Sequence, residues 1–330
     1  MLLKRFVEIC RAEKIFIAKK IVVAVSGGAD SLTLADLINR AKNIFKLEFC
    51  IAHYEHGLRG ENSIADAKFV EDFAKNLGVE FFCEHGDVKK FSLENKISIE
   101  TAARILRYEF LKKILRQKNF DAIALAHHAN DQAETILMRL LRGSSSAGLA
   151  AMKFSSATKD FGLLLRPLLR FKKFELENYC RDRKISARTD ETNFLADATR
   201  NKIRLEILPA LEKINPATVE TLCRFAEISA DETEFISAES DKIFAAVVVN
   251  HEIIQKNFLE LQPALQRALI KKFVEQEVGN IKDFGFAHFE GIRKVLTENL
   301  SGVELPKKFR ANLIHRKLSI TKNLIYEGTG

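Results

Sequence analysis

At 330 residues, with 47% hydrophobic and 29% charged positions and no apolar run long enough to cross a bilayer, the chain reads as a soluble globular protein of two or three units. A formal net charge of +8 favours a polyanionic partner, and five scattered cysteines (Cys10, Cys50, Cys83, Cys180, Cys223) without a CxxC pair argue against a disulfide framework, structural zinc or an iron–sulfur cluster. The N-terminal MLLKRFVEICRAEKIFIAKK breaks its apolar positions with charges every few residues, as an amphipathic helix does and a signal peptide does not, so a cytoplasmic protein is expected.

Along the chain, short β-branched apolar runs alternate with longer helical patterns. The runs are IVVAV (21–25), LEFCIAH (47–53), VEFFCE (79–84), DAIALAH (121–127) and LLLRPL (163–168). Strands that are apolar throughout are buried on both faces, which predicts a doubly wound α/β fold with a mainly parallel sheet and helices on both faces. Asp30 is placed to cap the first helix after this sheet begins. Ser63 with Asp66 resembles a capping box, and Gly78 and Gly143 stand where helices end. Beyond Pro209 the strand signals stop, and helical periods occupy 218–247, 261–277 and 287–296 before ELPKKFRANLIHRKLSI shows the alternation of a hairpin. The expected division is therefore 1–209 and 210–330, the second part a smaller helical domain with a short C-terminal α+β segment. After Pro306, the cations Lys307, Lys308, Arg310, Arg316, Lys317 and Lys322 face a lone Glu327, a stretch suited either to phosphates or to a solvated basic face.

The stretch VVAVSGGADSLTLADLI (22–38) runs a buried strand through Ser-Gly-Gly into a helix. In doubly wound sheets ligands bind at the carboxyl ends of strands, where two glycines let backbone N–H groups approach an anion and the helix N-terminus favours negative charge. An ordinary tight turn would also use Gly-Gly. Asp30 tips the balance, because an acid beside a phosphate loop is repulsive unless a cation such as Mg²⁺ lies between them.

SGGxDS after a buried strand resembles the pyrophosphate loop of the N-type ATP pyrophosphatase (PP-loop) superfamily. Five further motifs stand in the order seen in its tRNA(Ile)-lysidine synthetase family: HYEHGLRG (53–60), ETAARILRYEFL (100–111), AHHANDQAETILMRLLRGSSSAGLAAM (126–152), RPLL (166–169) and DETNFLADATRNKIRLEILPAL (190–211). The resemblance is strong over the first two-thirds of the chain and weak beyond. It implies ATP-dependent attachment of free L-lysine to C2 of the wobble cytidine of an isoleucine tRNA with a CAU anticodon. The route runs through an adenylated cytidine, and the products are lysidine, AMP and pyrophosphate. ATP and Mg²⁺ are the implied cofactors. A membrane partner is not implied, and oligomeric state is left open between monomer and homodimer.

Carried onto this sequence, the resemblance assigns Ser26, Gly27, Gly28, Ala29, Asp30, Ser31, His53 and Arg104 to ATP, with Asp30 also the Mg²⁺ ligand. Asp131, Asp30 and Arg200 are the implied catalytic residues, and His127, His128, Glu134 and Arg204 the implied substrate-binding ones. Spacing alone puts Asp131 and Glu134 three apart on one helix face, which suits a surface pair as well as a reaction centre. Arg200 and Arg204, one turn apart, are able to grip phosphates, and Arg166 is a weaker candidate for the same role. Arg107 fits a solvated helix face about as well as a site, and Arg142 suits a helix C-terminus. Asn130 stands where many relatives carry Asp, and Glu55 where the family has Asn. Three other classes stay open on sequence grounds: a thiolating PP-loop tRNA enzyme, a catalytically idle nucleotide or RNA binder, and a metal-dependent phosphoesterase built on Asp30, His127, His128 and Asp131, with His53 and His56 as further ligands.

Overall fold

A computed structural model describes residues 1–57, 61–158, 162–188 and 198–322, with backbone alone at 61–64 and 198. Residues 58–60 of HYEHGLRG, the Ser63 side chain and DETNFLAD (190–197) therefore lie outside the described residues. The chain forms two compact units, Met1–Ser229 and Ala230–Gly330.

The first unit begins with the amphipathic α1 (Leu2–Ala12) and then alternates: β1 (Lys20–Ala24), α2 (Ala29–Phe45), β2 (Glu48–Glu55), α3 (Glu61–Leu77), β3 (Phe81–His85), α4 (Val88–Asn95), α5 (Ile99–Lys118), β4 (Ala122–Ala124) and α6 (Ala129–Leu141). There follow α7 (Ser146–Leu149), β5 (Ser155–Thr158), β6 (Gly162–Leu165), α8 (Lys173–Asp182) and α9 (Ala198–Lys202). A wide π turn, Ile203–Ile207, closed by Leu208 N–H donating to the Ile203 carbonyl, joins α9 to α10 (Leu208–Ile214). The long α11 (Thr218–Val247) contains the division between the units.

The six-stranded sheet has the order β3-β2-β1-β4-β6-β5, all parallel except the β5–β6 pair. Successive β1 residues feed opposite cores: Ile21 and Val23 join Phe6, Leu32 and Leu176 on one side, and Val22 joins Val88, Tyr108 and Leu111 on the other. Burial on both faces is why the strand shows no polar alternation. The strand order reverses between β1 and β4, so the segments leaving their carboxyl ends, one entering α2 and one entering α6, flank the same crevice. Sequence reading missed β5. Its Ser155–Thr158 is a polar edge strand that leaves every second residue exposed and so lacks an apolar run.

The second unit holds the sheet β7-β8-β11-β10-β9, whose strands are β7 (Val248–Val249), β8 (Glu252–Ile254), β9 (Gly302–Leu305), β10 (Phe309–Ile314) and β11 (Lys317–Lys322). Helices α12 (Gln255–Leu259), α13 (Pro263–Val278) and α14 (Phe286–Thr297) share its core, in which Phe258, Phe273 and Ile292 are fully buried. The expected hairpin is present: Ile314 pairs with Lys317 across His315 and Arg316, both at positive φ as a tight two-residue turn demands. Strands β7 and β8 correct the expectation that strands cease after Pro209. With two and three residues they are too short to show a period.

Candidate functional site

The turn after β1 is tied by serines. Ser31 Oγ accepts from Ser26 N–H at 3.1 Å and donates to the Gly28 carbonyl at 2.9 Å, while Ser26 Oγ lies 3.3 Å from Ser31 Oγ. Gly27 sits at φ +93°, a conformation that disfavours any side chain, and Gly28 is the N-cap of α2 without a capping side chain. Asp30 is thus not the cap, contrary to the sequence expectation. It occupies the first turn of α2, with Oδ1 buried and without a hydrogen-bond partner. An orphaned, buried carboxylate oxygen is what a hard cation would satisfy, and Mg²⁺ takes only one or two protein carboxylates when phosphates supply the rest. Asp30 therefore fits the ion. His53 braces the same turn from β2, its Nδ1 2.8 Å from the Val25 carbonyl.

Opposite, β4 delivers His127 and His128 to the start of α6. His128 is the N-cap: its Nδ1 accepts from Asp131 N–H at 3.3 Å, and Asp131 Oδ2 accepts from His128 N–H at 3.1 Å. The other ring nitrogen, Nε2, lies 3.4 Å from Asp30 Oδ2 and 3.5 Å from Asp131 Oδ2. One imidazole thus bridges the glycine turn and the acid on α6. Burial opposes charge on His128, yet Asp131, Asp30 and Glu134 outweigh it and raise its pKa. Burial likewise would raise Asp131, but His128, His127 and Arg200 hold that carboxyl below its ordinary value. His127 goes the other way: burial, against Asp131 and with Arg166 and Arg107 nearby, lowers it to about 4, and its Nδ1 is buried without a partner.

Arg200, on α9, and Arg204, in the π turn, converge on α6. Arg200 donates from Nε to Glu134 Oε2 at 2.7 Å and from Nη2 to Asp131 Oδ1 at 3.2 Å. Arg204 donates from Nε to Glu134 Oε1 at 2.6 Å and from Nη2 to Oε2 at 2.9 Å. Glu134 is 1% exposed, so this is a buried acid neutralised from two sides. Hydrogen-bonded acceptance by Glu134 and the charges of Asp131 and Asp30 raise Arg204 against the lowering effect of burial, the largest single influence.

On α5, the exposed Arg104 lies over the Tyr108 ring at 5.4 Å. Arg107 is the residue that sequence reasoning undervalued. Its Nε is buried without a partner, and burial followed by repulsion from Arg104 lowers its pKa. Arg166 likewise has an unpartnered Nε, while its Nη1 is held by the Lys153 carbonyl and Ser156 Oγ. Nothing in the spacing of Arg107 separates it from a solvated arginine; the burial arises from the packing of α5 on the sheet. The departures from family pattern have local accounts. Asn130 Oδ1 accepts from Lys173 N–H, the first amide of α8, and Glu55 accepts from Gly57 N–H at 2.7 Å and pairs with His85. Arg142 is the C-cap of α6.

A family model described as the PP-loop domain matches residues 3–211. The chain belongs to the PP-loop family. Among curated relatives it is similar to a tRNA(Ile)-lysidine synthase of Clostridium perfringens, 38% identical over 278 residues that cover 83% of this chain and 58% of the relative. It is also similar to one of Geobacter sulfurreducens, 35% identical over 312 residues that cover 92% of this chain and 65% of the relative. The chain thus spans about three-fifths of the length of the curated relatives it matches. Among solved structures, the U34-tRNA thiolase NcsA from Methanococcus maripaludis, with its 4Fe–4S cluster, superposes with a TM-score of 0.57 at 18% identity, covering 68% of this chain and 77% of that one, a likeness of fold.

The PP-loop match takes in the glycine turn, the α6 acids and both arginines. The phosphoesterase alternative finds no support. His53 is bound to backbone, His56 packs edge-on against Tyr54, and among the described residues no group of three or more His, Cys, Asp or Glu side chains is arranged to hold a metal ion. No helix among the described residues is long and apolar enough to cross a membrane.

Proposed function

We propose that this chain carries the ligase chemistry of lysidine formation: ATP-dependent joining of L-lysine to C2 of the wobble cytidine of an isoleucine tRNA with a CAU anticodon. The observation that carries the proposal is the bridge from Asp30 through His128 to Asp131, which sets a phosphate-type turn beside a buried acid pair within one crevice. Residues 1–209 are the catalytic part on this proposal and 210–330 the tRNA-binding part.

In the first step cytosine O2 bonds to the α-phosphorus of ATP, the bond to the β-phosphate oxygen breaks, and pyrophosphate leaves. Ser26 to Ser31 would cradle the departing fragment through main-chain amides at the uncapped start of α2, worth ~0.3–1 kcal/mol from the helix end alone. Mg²⁺, when bound at Asp30, would supply charge neutralisation there. Arg200 and Arg204 are able to offset negative charge as it grows on the α-phosphate. His53 keeps the end of β1 in place, and Arg104 on α5 is assigned to ATP on the same proposal.

In the second step the lysine side-chain nitrogen bonds to C2, the C2–O2 bond breaks and AMP leaves. An amine of pKa ~10.4 is neutral in about one molecule in 2,500 at pH 7, a penalty of ~4.6 kcal/mol, so the ammonium needs a carboxylate to pair with and proton removal needs a base, which an ionised carboxylate also supplies. Glu134 anchors the ammonium. The nitrogen must first give up one proton to solvent to free its lone pair; Asp131, its carboxyl held below the ordinary range, accepts the second proton as N–C bond formation makes the nitrogen strongly acidic. His127 and His128 line the approach of the base.

A thiolation reading is disfavoured by the cysteines. Burial raises all five thiols, Cys50 and Cys223 to about 12, which keeps them protonated and poor nucleophiles. The test is to incubate the protein with ATP, Mg²⁺, CAU-anticodon tRNA transcript and each labelled amino acid in turn. Lysine alone is expected to become attached, with AMP and pyrophosphate formed. Asp131→Asn is expected to abolish transfer with tRNA affinity retained; equal loss of tRNA binding would mean that the acid is only structural.

A further inference from the structure

Resting on that proposal, the ammonium anchor has an unusual property: it is already full. Both oxygens of Glu134 are taken by Arg200 and Arg204, and each guanidinium reaches Asp131 Oδ1 as well, at 3.2 and 3.4 Å. Two carboxylates face two guanidiniums, so charge within this buried group is balanced before any substrate arrives. An ammonium entering it would stand uncompensated, and a guanidinium leaving it would strand a buried acid. Substrate entry therefore has to be an exchange of one cation for another, and the displaced cation needs an anion within reach.

That anion's place is adjacent. The glycine turn meets the same acids through His128, and Asp30 in that turn already acts on Arg204 through its charge. Guanidinium forks bind phosphate with the same two-donor geometry that they use for carboxylate, so one set of donors serves both partners. Their carrier is suited to moving them: Arg200 and Arg204 flank the start of the π turn, and such single wide turns recur at functional sites.

We propose that Arg200 and Arg204 are internal stand-ins for the substrate ammonium, and that a nucleotide polyphosphate at the Ser26–Ser31 turn draws them off Glu134 and so opens the anchor to lysine. Lysine and nucleotide then bind with positive coupling, and linkage requires each to strengthen the other by the same factor.

Equilibrium dialysis of labelled L-lysine against the full chain tests this, alone and with Mg²⁺ and α,β-methylene-ATP, which cannot be cleaved at the reacting bond. The nucleotide analogue is expected to tighten lysine binding by about tenfold or more, within the usual span of such couplings. Lysine is expected to tighten binding of the analogue equally. Arg204→Gln is expected to let lysine bind without nucleotide and to shrink the coupling factor. Glu134→Gln is expected to lose lysine while retaining the analogue. Should Arg204→Gln fail to fold, as judged by its thermal melt, Arg204→Met reads the same quantity, since it likewise removes the cation from Glu134 while keeping an aliphatic stem of similar length. Lysine affinity indifferent to the analogue in the unmodified protein would overturn the exchange. So would joint loss of both ligands in a folded Arg204 variant. If either result came with intact lysine transfer to tRNA, the ligase proposal would stand; absence of transfer with every amino acid would overturn that proposal instead.

Discussion

His127 and His128 are neighbours in sequence with opposite electrostatics. The first is buried near Arg166 and Arg107, which lowers its pKa, and the second is held between Asp30 and Asp131, which raise its pKa. The consequence for stability follows from linkage. A histidine lowered from 6.5 to about 4 contributes stability that is complete above pH 6.5 and is lost as pH falls through about 4. His128, raised by its acids, contributes below its ordinary pKa and loses that contribution only as pH rises, so it does not shape the acid limb. Thermal melts across this acid range are expected to fall steeply, and His127→Gln to flatten the fall. An unaltered slope in that variant would assign the acid limb to carboxylates elsewhere. At this scale the shared helix face of Asp131 and Glu134 was legible from a three-residue spacing, and their place in a site only from the family resemblance. The arginines that occupy Glu134 come from 66 and 70 residues further along, and no local pattern announces that meeting.

The first turn of α2 shows how an element is made into a site. Its two glycines do different work. Gly27 needs its left-handed backbone, whereas Gly28 has an ordinary φ of −78°, and a Cβ there would meet nothing nearer than Ser26 Oγ at 3.6 Å. Gly27→Ala is expected to cost ~1–2 kcal/mol in chemical denaturation through backbone strain. Gly28→Ala is expected to leave stability nearly unchanged and to weaken ATP binding, because the added methyl intrudes where main-chain amides approach phosphate. Equal nucleotide affinity in Gly28→Ala and unmodified protein would count against a phosphate at this turn. The element is also pinned from behind: Cys180 Sγ donates to the Ala29 carbonyl, and Thr33 Oγ1 donates to the Leu176 carbonyl, so α8 sets the depth of α2. These contacts explain a buried cysteine in α8 without any redox role. Long, strongly periodic elements such as α11 were readable in outline, since thirty residues of helical period cannot be mistaken. The polar edge strand β5 and the two- and three-residue β7 and β8 were not, because none carries a full apolar run, whereas the equally short β4 and β6 overlap the runs at 121–127 and 163–168.

For the whole molecule, the net charge of +8 has a defined concentration after Pro306. The structure sorts those cations. Lys307 donates to the Asn280 carbonyl, Arg310 is engaged by Glu304 and Asn312, and Lys317 lies 3.4 Å from Glu252. No ion pair to Lys308, Arg316 or Lys322 is found among the described residues. These three are the better candidates for phosphate binding, in place of the engaged Lys307, Arg310 and Lys317. Replacing them together by Ala is expected to reduce the slope of log affinity for tRNA against log salt by roughly 0.7–0.9 for each phosphate that is no longer neutralised. A slope that stays the same would assign the basic segment to solubility.

Composition and pattern by themselves determined the class of this protein: apolar runs alternating with helices require a sheet covered on both faces, and a glycine turn at the end of its first strand sits where such sheets bind ligands. Motif order then implied the chemistry. Only the tertiary structure decided the state of the site. Strand order brought the ends of β1 and β4 together, so that His128 spans Asp30 and Asp131, and α9 and the π turn carried Arg200 and Arg204 onto Glu134. Residue type and spacing are local properties that a sequence carries openly. Desolvation and charge pairing depend on what packs alongside from distant parts of the chain, and that is settled only when the sheet has formed.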